Sequence, residues 1–199
     1  MTKYLIVTAL SALAVASPIA AQAQKLNPAV IAVVDNDRVF RECTACKAAQ
    51  AQMQTQLQQI QQRAQQLGQP LQTEAQSLEA AVKALAGKQP DAALQQRATA
   101  FQQKQTAAQK ELSDREQAFQ RNRAYVAQQI QEKLNPIVSQ VMTARGATVA
   151  LDRQATLAAA ASIDVTNDVL AQLNQQLPSV NTTAPAPAAQ PAQPQPQGR

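Results

Sequence analysis

From Met53 to Leu85, and again more loosely from Leu94 to Val141, apolar side chains return at helical spacing, and this pattern constrains the chain more than any other feature. Met53, Leu57, Ile60, Ala64, Leu67, Leu71, Ala75, Leu78, Val82 and Leu85 are separated by steps of 4-3-4-3-4, then 4, then 3-4-3. Such steps put side chains on one narrow helical stripe, the seam of a coiled coil. The additional step of four is a stutter, which locally straightens a left-handed supercoil. A second stripe follows at Leu94, Ala98, Phe101, Ala108, Leu112, Phe119, Val126, Ile130, Leu134, Ile137 and Val141. Between the stripes, Gly87-Lys88-Gln89-Pro90-Asp91 carries a glycine suited to ending one helix and a Pro-Asp pair suited to starting another. Residues 45–144 therefore read as two long helices folded back on each other. At 1.5 Å per residue their arms reach roughly 60–80 Å.

The seam is thin. From Phe101 to Val126 the repeat loosens, with Lys104, Arg115 and Arg123 at or near seam positions. Pro70 and Pro136 each remove a helix hydrogen bond and crowd the preceding turn, so bends are expected at both. By periodicity alone, an intramolecular coiled-coil spacer is as good a reading of the hairpin as a binding function.

The ends of the chain supply the mounting. Lys3, the apolar run Leu5 to Val15 and the small residues Ala21 and Ala23 form a secretory signal, with cleavage expected between Ala23 and Gln24. Its apolar part is too short to span a membrane. After cleavage the formal charge falls from +5 to +4 through loss of Lys3. A basic exported protein meets anionic lipid, lipopolysaccharide and acidic polypeptides before nucleic acid. In the mature chain, Ala29 to Val34 is a β-branched run bounded by Pro28 and by Asp35-Asn36-Asp37, a buried strand leading into a capped helical turn that carries Val39 and Phe40. After Arg145-Gly146 a second strand runs Thr148 to Leu151, and a weaker third is expected at Ala155 to Ala158. Asp164 then opens a short amphipathic helix with Val165, Val169 and Leu173 on one face, stopped by Pro178. The remainder, 178–199, is Pro, Ala and Gln, a composition expected to be disordered.

The fold class that follows is α+β: a long antiparallel helical hairpin, 45–144, on a small β body formed from 24–44 and 145–177, with 1–23 removed and 178–199 as a tail. Three short strands bury little apolar surface, and with 3% aromatic residues and no Trp the chain has scant material for a larger core. Self-association through the sheet is the simplest remedy.

In the order of its parts the chain resembles the Skp/OmpH family of periplasmic chaperones. The resemblance rests on Ile31-Ala32-Val33-Val34-Asp35 with Arg38-Val39-Phe40 and Lys47-Ala48-Ala49-Gln50, on Ile130 to Pro136 running into Val149-Ala150-Leu151-Asp152, and on Asp164 to Leu170 leading to Leu173-Asn174. It covers about Val30 to Leu177. It implies a homotrimer whose sheets join into a β body, with three hairpins enclosing a cavity that holds unfolded outer-membrane proteins without ATP. Two places depart from the family pattern. After Arg121 and Arg123 this chain has Tyr125-Val126 where well-known members carry a dense basic cluster connected with lipopolysaccharide, which weakens any expectation of lipid contact. The joint into the arm, commonly Ser-Pro-x-Gly-like, is here Cys43-Thr44-Ala45-Cys46.

Those cysteines are the only two in the chain. In an exported protein Cys-x-x-Cys reads first as a structural disulfide, within the chain or between protomers. Redox catalysis lacks the surrounding thioredoxin-type pattern. Zinc would be short of ligands unless three protomers pooled their thiolates. There is no His, no Gly-rich phosphate loop and no nucleophile–base set. The pairs Glu74/Glu79 and Glu111/Asp114 read as solvated helix charges with partners one turn away. The expectation is a non-enzymatic protein without cofactor or nucleic-acid partner: a periplasmic holdase for unfolded outer-membrane proteins or, alternatively, a coiled-coil spacer of the envelope.

Overall fold

A computed structural model describes residues 27–186, so the signal segment and its cleavage site at Ala23 and Gln24 lie outside the described residues. The elements, in order, are strand β1 (Ile31–Val34), helix α1 (Asn36–Glu42), helix α2 (Thr44–Ala84), helix α3 (Ala92–Ala144), strand β2 (Val149–Asp152) and helix α4 (Thr166–Gln176). β1 and β2 pair in parallel, with Ile31 opposite Val149 and Val34 opposite Asp152. A parallel pair needs a crossover that returns the chain to its starting end. Here the crossover is the entire arm, out along α2 and back along α3.

Each helix start has a local cause. The Asp35 carboxylate accepts from the Arg38 N–H at 2.8 Å and opens α1, and Asp91 does the same for Leu94 at α3. At the tip, Ala86 and Gly87 both adopt positive φ, 50° and 89°. Gly146, at φ 66°, ends α3 and turns the chain into β2. Pro70 and Pro136 both lie inside unbroken helices.

One core serves the base. It combines Ala32 and Val34 of β1, Val39 of α1, Ala45, Cys46 and Ala49 from the start of α2, Val126 to Val141 of α3, and Val169, Leu170 and Leu173 of α4. Leu134 and Ile137 are 1% and 0% exposed. The root of the hairpin is thus part of the globular base. Polar ties fix the layers: Thr44 N–H donates to Asn174 Oδ1 (2.8 Å), Asp35 N–H to Thr166 Oγ1 (2.9 Å), and Val165 N–H to the Val33 carbonyl (2.9 Å).

Two expectations fail here. No third strand forms at 155–158. Asp152 instead accepts from the Gln154 N–H (2.7 Å), closing a 3-10 turn over Arg153–Ala155, and the later return to the sheet is a single bridge, Val33 with Asp164. Nor is the beginning of the tail free: residues 180–184 lie against the root of the arm, held by hydrogen bonds from both long helices.

Candidate functional site

Packing along the arm falls into two zones. Towards the base, Val126, Ile130, Leu134, Ile137 and Val141 are buried. Beyond Ala49, every seam residue of α2 is only half-buried, apart from Val82, which is exposed. In the outer half of α3, Ala108 is the one buried residue. Two helices can cover only one side of each seam residue, so the apolar stripe stays open to solvent along both flanks.

Three clefts lie along the seam. One of about 360 Å³ lies between Phe40 of α1, Met53 and Leu57 of α2, and Phe119, Val126 and Ile130 of α3. Arg123, Gln50 and Gln54 also line it, so a cation borders a largely apolar hollow. A second, about 300 Å³, opens opposite Pro70 and is lined by Leu67, Leu71, Lys104 and Ala108. A third, about 140 Å³, is formed by Gln56, Ile60, Phe119 and Asn122. Lys104 and Arg123, singled out from the sequence as seam breakers, thus border clefts.

Charge pairs stitch the open seam. The Arg63 guanidinium donates from Nε and Nη2 to the two carboxylate oxygens of Glu111, at 2.8 and 2.9 Å, across the hairpin. Arg115, one turn beyond Glu111, donates to the same carboxylate. The hydrogen bonds from Arg63 and then Arg115 lower the Glu111 pKa to about 2. Nearer the tip, Arg97 bonds Glu74 and Ser77. The reading of these acids as one-turn helix pairs holds for Glu79 with Lys83 and Asp114 with Lys110. It is corrected for Glu74, whose partner lies on the other helix, and for Glu111, which has one of each kind.

Cys43 and Cys46 sit at the joint from α1 to α2 and are bonded to each other within the chain. Cys43 Sγ also accepts from the Cys46 N–H, so it serves as the helix cap. Both are buried in the base core. Among the described residues there is no cluster of acids and cysteines able to hold a metal ion.

Where residues 180–184 form a strap across the arm root, Gln129 donates from Nε2 to the Asn181 carbonyl (2.8 Å) and accepts at Oε1 from the Asn181 N–H (2.9 Å). Gln56 donates to the Thr182 carbonyl (3.1 Å) and Asn122 accepts from the Ala184 N–H (2.9 Å). Gln52 accepts from the Thr182 hydroxyl. Sequence reasoning missed all four amide residues, since glutamines recur throughout both helices and nothing local marks these.

A final surface belongs to the sheet. Val30, Ile31, Val149 and Leu151 are exposed, and Leu157, in the loop beyond β2, is fully so. They make an apolar margin on a sheet of two strands.

These features define a class: a long, cleft-bearing helical hairpin mounted on a small α/β base. The sequence pattern of the family described as Outer membrane protein (OmpH-like) matches residues 30–173, and the chain belongs to that family. A crystal structure from Caulobacter crescentus CB15, described as an outer membrane chaperone (OmpH-like), superposes with a TM-score of 0.65 at 25% identity. The match covers 78% of this chain and 90% of that one. A search among curated proteins finds no match.

Proposed function

We propose that this protein is an ATP-independent periplasmic holdase that takes up unfolded outer-membrane proteins between helical arms and keeps them from aggregating. The observation that carries this reading is the open apolar seam of α2 and α3, with clefts along it instead of a closed core. Shallow apolar hollows bordered by Lys104 and Arg123 suit many weakly held segments better than one tightly held ligand. Kinship with a protein described as an OmpH-like outer membrane chaperone supports a chaperone role, and such proteins are typically periplasmic and generally non-enzymatic.

The working unit of this proposal is a homotrimer. The margin of Val30, Ile31, Val149 and Leu151 supports it, because a two-stranded sheet with exposed β-branched side chains is incomplete as a monomer. Joining three bases would cover the margin and set three arms around a shared space. The segment up to Ala23 is removed on export, and the Cys43–Cys46 bond braces the joint at which each arm leaves its base.

Diluting an outer-membrane porin from urea into buffer with and without the mature protein tests the function. Suppressed light scattering at one trimer per porin is the expected result; undiminished aggregation would leave the envelope-spacer reading in its place. Multi-angle light scattering should give the mass of three chains, and a stable monomer would remove the enclosed space on which the mechanism depends.

A further inference from the structure

The hydrogen bonds between the tail and the arm go mostly to main chain, with the Thr182 side chain buried beside them. Four of the hydrogen bonds from Gln56, Asn122 and Gln129 end on backbone N–H or carbonyl groups of Asn181, Thr182 and Ala184. Only the Thr182 hydroxyl is met as a side chain, by Gln52. Gln129 satisfies both the N–H and the carbonyl of one residue, as a neighbouring β-strand would. Such a site recognises an extended chain and is almost indifferent to its sequence. The chain also runs outward, from Gln129 near the base to Asn122 further along, and the cleft formed by Gln56, Ile60, Phe119 and Asn122 opens where those contacts end.

We propose that this track between α2 and α3 is a binding site for extended polypeptide main chain, occupied in the free protein by residues 180–184 and surrendered to a segment of unfolded client. The proposal rests on the chaperone reading and gives it a location. Beyond Val180, which packs partly on the base core, the strap brings no large apolar side chain. A client segment can make the same amide pairs and in addition place an apolar side chain against Ile60 and Phe119 in the cleft beyond. That added contact is what lets an intermolecular segment compete with a tethered one, whose effective concentration is high. The tail would then raise the threshold for binding, so that short or already folded chains are turned away.

Hydrogen exchange and binding on the intact mature protein decide this. The Asn181 and Ala184 amides should be protected in the free protein and lose protection when a reduced, carboxymethylated and permanently unfolded polypeptide is added to saturation. A chain ending at Ser179 should bind that polypeptide about tenfold more tightly or better, and Gln129→Leu in the shortened chain should reverse the gain. In the full chain, Asn181→Ser and Thr183→Ser should leave the Ala184 amide protected, because the track meets main chain, whereas Gln129→Leu should expose it. Continued protection of Asn181 and Ala184 under saturating client, with equal affinities for the full and shortened chains, overturns the proposal while leaving the chaperone reading intact. Failure of both chains to bind the unfolded polypeptide refutes the chaperone reading and the displacement with it. Exposure of Ala184 by the serine substitutions alone would show that the strap is held by its own side chains and overturn main-chain recognition.

Discussion

Arg63 on α2 and Glu111 on α3 meet across the hairpin through two parallel hydrogen bonds of 2.8 and 2.9 Å, midway along the arm where the apolar seam is half open. A bidentate pair of this kind sets register as well as adding attraction, because it tolerates neither a slide nor a roll of one helix on the other. With Arg97 and Glu74 nearer the tip, it holds the two helices aligned where packing alone would not.

The pair makes the outer arm acid-sensitive. The Glu111 carboxyl is held at about 2, well below its unfolded value near 4.3. A depressed carboxylate contributes stability that is fully present above the unfolded pKa and is lost as pH falls through the folded one. Amide protection in the outer arm, measured as the ratio of intrinsic to observed exchange rate at each pH, should therefore fall between about pH 4.5 and pH 2 in the native protein. Glu111→Gln should show faster exchange already at pH 7, and that part of the pH response should vanish. Since both side chains are partly exposed, the effect should be modest and should shrink with salt. Identical exchange profiles for the two proteins across that range would remove the pair as a register lock.

The two packing zones should separate in a mutational comparison. Leu134→Ala removes a side chain that is 1% exposed and should cost about 2–5 kcal/mol in urea unfolding. Leu67→Ala and Leu71→Ala, on half-buried seam positions beside the cleft at Pro70, should cost less than about 1.5 kcal/mol each, because part of each side chain already faces solvent. Equal losses at the three sites would mean that the outer seam is closed in solution, and the open-cleft basis of the proposed function would go with it.

How much of this could be read beforehand depends on the range over which each signal acts. A helical stripe is local, so steps of three and four gave both long helices and their turn. Pairing between the helices is not local: Arg63 finds Glu111 only once the tip at Ala86 and Gly87 has set the register, and from the sequence Glu111 has an equally good partner in Arg115. The missing third strand has a similar cause. Ala155 to Ala158 offers one large apolar residue, Leu157, and the Asp152 side chain wins by capping a turn. The strap was obscured by composition. Val180, Asn181 and Thr182 precede the Pro/Ala/Gln run and differ from it, but the amides that hold them are four among many glutamines and asparagines on the arm.

The joint disulfide should stabilise the base without linking chains. Closing a loop of so few residues gains only about 2 kcal/mol in a chain-entropy account. The Cys43 sulfur is also the cap of α2, so the replacement chosen matters. Cys43→Ser with Cys46→Ser keeps an oxygen acceptor at the cap and should lose about 2 kcal/mol. Cys43→Ala with Cys46→Ala loses the cap as well and should fall about 1 kcal/mol further. Non-reducing electrophoresis should show single chains, and the folded protein should resist thiol reagents. A covalent trimer band, or full labelling of both cysteines before unfolding, would contradict the bond within the chain.

Pro70 lies in the unbroken helix α2 and leaves the Gln66 carbonyl without its usual N–H donor, beside one of the clefts. Alanine in an exposed helix interior is favoured over proline by about 3 kcal/mol, so a proline retained there weakens the arm at that turn. Pro70→Ala should slow amide exchange over the neighbouring turns and raise the thermal midpoint. If flexible arm walls are needed to accommodate clients of different size, the same substitution should lower the amount of unfolded porin held per trimer, and Pro136→Ala should act in the same direction nearer the base. A variant that gains stability yet holds as much porin as the native protein would show that the arm's softness at Pro70 has no part in client uptake, and that the open clefts alone account for it.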